Sequence, residues 1–245
     1  YHQYDPFDAA HGGPVLWNHL TTKDFVTYEN HGPVLFPDSD LDSSGAYSGS
    51  AFVRDGKIHY FYTGNVKHFD RDDYDYVLTG REQNQIHVVA ENPDELGEKR
   101  MAVGPVDYPD DIGTHVRDPK ILEHDGIYYM VLGARTKDDR GCVLVYTSSD
   151  LEDWSYATRI ELGEEFGFMW ECPDLFQLDG QWFLAVSPQG IECQNVYGCG
   201  YFPIYGDWRR DCILGDFYHA DFGFDYYAPQ SFTDETGRRI QIGWM

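Results

Sequence analysis

Basic residues are scarce in this sequence of 245 residues, which has 18 Lys and Arg against 42 Asp and Glu and a formal net charge of −24. A chain with that charge repels polyanions and anionic lipid headgroups. The composition therefore predicts neither a nucleic-acid partner nor a membrane partner.

Long hydrophobic runs and the spacing motifs of metal sites are absent as well. No stretch approaches the roughly 18 consecutive apolar residues of a transmembrane helix. No HExxH, HxH or CxxC spacing occurs, so no metal site is predicted. The odd number and irregular spacing of the cysteines predict free thiols in a reducing, cytoplasmic compartment. These cysteines are Cys142, Cys172, Cys193, Cys199 and Cys212.

Aromatic residues and glycine, by contrast, are abundant, with 19 Tyr, 15 Phe, 6 Trp and 25 Gly. That content exceeds what a disordered acidic chain carries and favours β-structure with surfaces that stack on sugar rings. No segment sustains an apolar period of 3.6 residues, which predicts a nearly all-β chain.

One sequence pattern recurs along the chain: a strand, an Asp-Gly turn and a second strand rich in aromatic residues. The spacing of the copies is about that of one four-stranded propeller blade each. The turns lie at Asp55-Gly56, Asp125-Gly126, Asp179-Gly180 and Asp234 to Gly237. The repeat predicts a β-propeller with about one blade for each copy.

Both ends of the sequence look like interrupted repeats. Residues 1–4 resemble the second strand of the repeated pattern without its first strand and turn, and residues 240–245 end on a strand. We therefore expect residues 1–245 to form one propeller domain that lacks the inner strand of its first blade.

Two acidic residues occupy the same end of neighbouring inner strands. Asp118 follows Arg117 in one copy of the repeat, and Glu171 stands just ahead of Pro173 in the next. Because the inner strands of a propeller converge on its axis, these side chains are predicted to face one pocket. A pair of carboxyl groups across a pocket is what glycoside hydrolysis requires.

The same residues carry a resemblance to a known family. Arg117-Asp118-Pro119 and the segment 171–176, ECPDLF, are similar to the RDP and ECPD motifs of glycoside hydrolase family 32. Four further segments resemble that family's FYQYNP, WGH, FSGSA and DFYAPQ motifs, in that order: residues 1–6, 17–19, 46–51 and 225–230. Residues 187–201 further resemble the bacterial branch that acts on sucrose 6-phosphate.

The resemblance implies a five-bladed β-propeller followed by a β-sandwich, and hydrolysis of terminal β-D-fructofuranosides with retention of configuration. Glu171 would be the general acid/base, and Asp118 would stabilise the transition state through the fructose hydroxyls. Sucrose, sucrose 6-phosphate or a short fructan would be the substrate, without a cofactor. The substrate-binding residues implied are Gln3, Trp17, Tyr47, Ser48, Arg117, Asp118 and Trp244. Cys172 is interpreted as a packing residue.

One departure from the family pattern concerns the nucleophile. The family carries this Asp in an NDPNG motif, which does not occur in the 245 residues, and Asp5-Pro6 matches a later segment instead. Residues 1–245 alone are therefore expected not to form a glycosyl-enzyme intermediate. A non-catalytic carbohydrate-binding propeller, a fructan-cleaving member of the family and a related five-bladed enzyme such as an arabinanase stay open as alternatives. The sequence upstream of residue 1 would distinguish the two classes, because an Asp in an NDPNG-like motif there indicates an enzyme and its absence favours a binding protein.

A phosphorylated substrate would require a local basic patch in this acidic chain. The nearest candidates along the sequence are Lys23, Arg135, Lys137 and Arg140. Nothing in the sequence indicates an oligomeric state.

Overall fold

The computed structural model describes the backbone of residues 2–3 and, in full, residues 15–192, 198–223 and 225–245. Strands dominate these ranges, in which the helical structure is a single 3₁₀ turn at Pro105–Asp107. No helix in the described ranges is long and apolar enough to cross a bilayer. The prediction of a nearly all-β chain is confirmed.

The strands form five antiparallel sheets that follow one another along the chain, and each sheet is one blade. Blade 1 contains β1 (His2–Gln3), β2 (Leu16–Thr22) and β3 (Tyr28–Leu35). Blade 2 contains β4 (Ala46–Arg54), β5 (Lys57–Lys67), β6 (Arg81–Asn92), β7 (Glu95–Leu96) and β8 (Arg100–Val103). Blade 3 contains β9 (Ile112–His124), β10 (Ile127–Thr136), β11 (Gly141–Ser148) and β12 (Ser155–Ile160).

Blade 4 contains β13 (Met169–Leu178), β14 (Gln181–Gln189), β15 (Gly200–Gly206), β16 (Cys212–Leu214) and β17 (Tyr218–His219). Blade 5 contains β18 (Tyr227–Thr233) and β19 (Arg239–Trp244). Within each blade, strands that are consecutive in the chain pair with one another, while β8 and β17 add to β6 and β15. The β-propeller predicted from the repeat is confirmed, and its five blades agree with the number that the family resemblance implies.

The Asp-Gly turns of the repeat join the first two strands of blades 2, 3 and 4. At the first of them, Asp55 and Gly56 have φ angles of 50° and 77°. Positive φ at both central residues defines the type I′ turn, whose twist matches that of the flanking strands. The same pairing of positive angles occurs at Asp125-Gly126 and Asp179-Gly180.

The hydrophobic core lies between neighbouring blades, where sheet faces pack together. Trp170 of blade 4 is fully buried in the core shared by blades 3 and 4, where its ring stacks on Phe202 of the same blade with centroids 5.5 Å apart. Burial of a side chain of this size contributes about 2–3 kcal/mol. Gly133 on β10 allows blade 3 to approach the backbone of blade 4 closely, because a Cβ there would lie 2.0 Å from the Trp170 carbonyl oxygen. The packing thereby fixes the backbone next to Glu171.

A β-bulge interrupts the first strand of blades 2 to 5. In blade 3, residues 118–119 lie opposite one residue of β10, between the pairs Arg117↔Gly133 and Lys120↔Val131. Two-against-one irregularities occur at residues 47–48, 172–173 and 228–229 as well. Proline has no N–H to lose from the ladder and is therefore tolerated at a bulge. The prolines concerned are Pro119, Pro173 and Pro229.

Polar contacts join neighbouring blades close to their inner strands. Asp118 N–H donates to Thr63 Oγ1 at 2.9 Å, which links blade 3 to blade 2. Cys172 N–H donates to Asp118 Oδ2 at 2.8 Å and links blade 4 to blade 3. Ser231 N–H donates to Asp174 Oδ2 at 2.7 Å and links blade 5 to blade 4. Each contact places a side-chain oxygen of one blade against an amide of the next.

Replacing Asp174 with Ala is expected to lower the free energy of unfolding by about 3 kcal/mol. Asp174 is 1% exposed, and its loss leaves the buried Ser231 N–H without an acceptor and Lys120, whose Nζ lies 3.7 Å from Oδ1, without a counter-charge. Urea unfolding measures the change. Asp110→Ala, at an exposed position, is the control and should unfold as the parent does. Equal midpoints for the two variants would contradict the role of Asp174.

Candidate active site

The bulges bring consecutive residues of four inner strands around one central cavity. The larger of two adjoining cavities has a volume of about 730 Å³, the smaller about 430 Å³, and Ser48, Asp118 and Trp244 line both. Each inner strand contributes two neighbouring residues to the larger cavity: Tyr47-Ser48, Arg117-Asp118, Glu171-Cys172 and Tyr227-Ala228. These volumes lie in the range of small-molecule sites.

The residues predicted from the sequence to form the site lie together at these cavities, with one exception that falls outside the described side chains. Trp17 lines the smaller cavity and its indole N–H donates to the Tyr47 carbonyl at 3.0 Å. The backbone of Gln3 pairs with Leu16, but its side chain lies outside the described part of the structure. The others line the larger cavity: Tyr47, Ser48, Arg117, Asp118, Glu171 and Trp244.

Arg117 and Glu171 form an ion pair across blades 3 and 4. Arg117 donates from Nη2 and Nε to Glu171 Oε1 at 2.6 and 3.2 Å. Burial opposes the charge on Arg117, but the carboxyl groups of Glu171 and Asp118 outweigh it and hold the Arg117 pKa above its usual value. The guanidinium therefore stays charged and fixes the carboxyl group of Glu171 at the cavity wall.

Asp118 lies near the same guanidinium, with Oδ2 4.0 Å from Arg117 Nε. Burial raises its pKa, Arg117 acts against that rise and Glu171 adds to it. Its φ of 65° is uncommon for a residue other than glycine. Such strained backbone is typical of functional sites, and here it accompanies the bulge that brings Asp118 to the cavity.

Cys172 contacts Asp118 twice, through its amide and through its thiol, which lies 3.6 Å from Oδ2. Burial, followed by Asp118 and Glu171, raises the Cys172 pKa well above its usual value. The thiol is therefore protonated and is a donor, not a nucleophile. Cys142, Cys199 and Cys212 are free thiols too, and Cys193 lies outside the described residues.

Tyr227 was not among the residues predicted from the sequence, yet its hydroxyl donates to Glu171 Oε2. Burial and the neighbouring Glu171 raise the Tyr227 pKa, so the hydroxyl keeps its proton. Tyr227 precedes a bulge as Glu171 does, and the repeat alignment could have found it. With Arg117 on Oε1, both oxygens of Glu171 receive hydrogen bonds.

Replacing Tyr227 with Phe is expected to lower kcat about 10-fold, because the variant loses the hydroxyl that donates to Glu171 Oε2. The phenyl ring keeps the packing of the Tyr227 side chain, so the unfolding temperature should change little. Steady-state kinetics and thermal unfolding of the full-length protein measure the two effects. Tyr226→Phe, which removes an exposed bond to Gln241, is the matched control. A Tyr227→Phe variant with parental kcat would contradict a role for this bond in positioning Glu171.

His115 connects this ion pair to the segment between β5 and β6. Arg117 Nη1 donates to His115 Nδ1 at 3.1 Å, so the other ring nitrogen, Nε2, donates to the Tyr76 carbonyl at 2.9 Å. Burial, followed by Arg117 and Arg81, lowers the His115 pKa to about 3. The imidazole is therefore neutral and is held in one tautomer.

The exposed segment that precedes β6 contributes to the cavity. Phe69, Tyr74 and Tyr76 line the cavity together with Lys67 and Arg81. The four cations suggested from the sequence do not line it. Two of them are engaged locally, Arg135 with Asp139 and Arg140 with Asp138, and the other two, Lys23 and Lys137, are exposed elsewhere.

No group of three or more His, Cys, Asp or Glu side chains in the described ranges is placed to hold a metal ion. Two carboxyl groups at one cavity can serve proton transfer and charge stabilisation. Asp118 is buried, Glu171 is partly buried, and the Arg117 guanidinium lies within 4.0 Å of both carboxyl groups.

Comparison with known proteins gives one consistent set of matches. The model of the glycosyl hydrolases family 32 N-terminal domain matches residues 1–245. Sucrose-6-phosphate hydrolase of Bacillus subtilis is 39% identical over 99% of this chain and 50% of the relative. The structure of sucrose-6-phosphate hydrolase from Lactobacillus gasseri has a TM-score of 0.87 at 32% identity, over 99% of this chain and 50% of that one.

A Bombyx mori GH32 beta-fructofuranosidase in complex with sucrose has a TM-score of 0.82 at 30% identity, over 99% of this chain and 51% of that one. The chain therefore spans about half the length of the relatives it matches.

Proposed function

Because the chain belongs to glycoside hydrolase family 32, we propose that the protein hydrolyses terminal β-D-fructofuranosides, with sucrose or sucrose 6-phosphate as substrate. The relatives named above as sucrose-6-phosphate hydrolases support this substrate class. The reaction is a retaining double displacement without a cofactor.

The observation that carries the proposal is the arrangement of Glu171, Arg117 and Asp118 at one cavity. Arg117 donates to Glu171 at 2.6 Å and lies 4.0 Å from Asp118. A carboxyl group held by a charged donor can exchange a proton with a leaving oxygen, and a second carboxylate nearby stabilises positive charge on the sugar ring.

Each residue has a distinct role in this mechanism. Glu171 gives a proton to the leaving oxygen in the first step and takes one from water in the second. Asp118 accepts hydrogen bonds from fructose hydroxyls and stabilises the oxocarbenium-like transition state, and Arg117 positions Glu171. The remaining proposed substrate contacts are Gln3, Trp17, Tyr47, Ser48 and Trp244.

The retaining reaction also needs a nucleophilic carboxylate about 5 Å from the acid. The family resemblance assigns it to the Asp of an NDPNG motif, which the 245 residues do not contain. We propose that residues 1–245 form one catalytic propeller domain of a longer enzyme, whose first inner strand carries this Asp and whose β-sandwich follows. The coverage of about half of each relative supports this.

The test is product analysis with the full-length protein on sucrose, sucrose 6-phosphate and inulin. Fructose release from sucrose or its phosphate, with β-fructofuranose as the first anomer seen by NMR, is the expected result. Binding without release would favour a carbohydrate-binding propeller, and preferential release from inulin would favour a fructan-cleaving enzyme.

A cytoplasmic location is proposed with this function, supported by the free thiols at Cys142, Cys172, Cys199 and Cys212.

A further inference from the structure

Two basic residues face each other across neighbouring strands at the cavity. Lys67 is the last residue of β5 and Arg81 the first of β6, and the two are directly paired in the ladder. Like charges opposite each other in an antiparallel pair are destabilising. Both side chains line the cavity that Glu171, Arg117 and Asp118 line. The pair therefore costs stability at a position that can reach a ligand.

Neither residue has a counter-charge within the described residues, although the chain carries a net charge of −24. Most other described basic side chains form an ion pair with Asp or Glu, whereas none is formed by Lys67 or Arg81 in those ranges. Arg81 Nε is moreover buried without a hydrogen-bond partner. Nearby acids are engaged elsewhere, Asp73 by Arg71 at 2.7 Å and Glu82 by His68 at 3.0 Å.

Aromatic rings hold both cations at the cavity wall. The Arg81 guanidinium carbon lies 4.5 Å from the centre of the Tyr76 ring, and Lys67 Nζ lies 5.9 Å from that of Phe69. A guanidinium stacked on a ring retains its in-plane N–H donors for an anion. Tyr76 is itself held through its carbonyl by His115. The pair is thus positioned before any ligand binds.

We propose that Lys67 and Arg81 form a subsite for the phosphoryl group of a substrate whose leaving sugar is phosphorylated. The assignment rests on the proposed function. A phosphate monoester carries about −1.5 to −2 charges at neutral pH and so takes two cations. Arg117 is already neutralised by Glu171, whereas Lys67 and Arg81 are not. Because Glu171 protonates the leaving oxygen, the leaving sugar lies in the cavity shared by Glu171, Lys67 and Arg81.

The test compares the kinetics of full-length Lys67→Ala and Arg81→Ala variants on sucrose 6-phosphate and on sucrose. Each substitution is expected to raise KM for sucrose 6-phosphate about 10-fold, and both together about 100-fold, with kcat/KM for sucrose within about twofold. Thermal unfolding of the ligand-free variants should not be lowered, because a like-charge contact is relieved. Lys137→Ala, which removes an exposed cation outside the cavity, should change neither substrate's KM.

Equal changes for the two substrates, or none, would overturn the subsite. Calorimetry with glucose 6-phosphate and inorganic phosphate separates the two sources of a phosphoryl group. We expect glucose 6-phosphate to bind the parent protein about 10-fold more tightly than Arg81→Ala. Inorganic phosphate that binds as tightly as glucose 6-phosphate would overturn the assignment to a sugar phosphate. If the parent hydrolyses neither sucrose nor its phosphate, the proposed function fails, while the calorimetry still decides the subsite.

Discussion

Glu171→Gln is expected to lower kcat on sucrose by about 10²–10⁴-fold in the full-length protein, with little change in unfolding temperature. The amide keeps the size of the side chain and can still accept from Arg117, whose Nη2 lies 2.6 Å from Oε1. It has no proton to give to the leaving oxygen and cannot act as a base toward water. Steady-state kinetics and thermal unfolding measure the two effects.

A substrate with a good leaving group separates the acid role of Glu171 from its base role. p-Nitrophenyl β-fructofuranoside needs little protonation, so the variant should show a burst of nitrophenol followed by slow turnover, since the base for the second step is missing. Glu164→Gln changes an exposed acid seven residues away and serves as the isosteric control. Full activity of Glu171→Gln on sucrose would remove Glu171 from the mechanism.

Asp118→Asn is expected to lower kcat by about 10²–10³-fold while the fold is kept. Its amide oxygen can still accept from Cys172 N–H, now 2.8 Å from Oδ2, so the contact between blades 3 and 4 survives. The negative charge that would face the developing positive charge of the fructosyl ring is lost. Kinetics on sucrose and the unfolding temperature separate the loss of charge from a loss of structure.

Asp118→Ala removes the acceptor as well, so we expect it to lower both kcat and the unfolding temperature. Asp179→Asn, at an exposed hairpin turn where Asn is equally compatible with positive φ, is the matched control and should leave kcat unchanged. An Asp118→Asn variant with parental kcat would leave Asp118 a structural role only.

Local chemistry explains why much of the fold was predictable. Asp-Gly turns demand positive φ at both residues, and a proline in an inner strand is compatible with a bulge, so the repeat fixed both the hairpins and the register of Asp118 and Glu171. Tyr227 was within reach of the same alignment, because it precedes Pro229 by two residues as Glu171 precedes Pro173.

Contacts between distant segments were not predictable in this way. The bond from His115 to the Tyr76 carbonyl joins residues 39 positions apart and depends on how residues 68–80 pack against blade 3. The cations suggested from the sequence for a phosphate group do not line the cavity, and for Arg135 the reason is local. Arg135 has an acid four residues away, with which it forms an ion pair. Lys67 and Arg81 stand out only when their pairing across strands is known.

Three amide-to-side-chain bonds between described blades run in one direction. Thr63, Asp118 and Asp174 each accept an N–H from the blade that follows, so blades 2, 3 and 4 present acceptors to their successors and blades 3, 4 and 5 present amides to their predecessors. The set of blades therefore has a polarity, as a head-to-tail filament does. Hydrophobic faces alone would tolerate neighbours in either order. Because main-chain amides form these bonds, the backbone fixes the order in which Arg117, Glu171 and Tyr227 follow one another around the cavity. A blade transplanted into this protein would have to supply a side-chain acceptor to one neighbour and an N–H donor to the other.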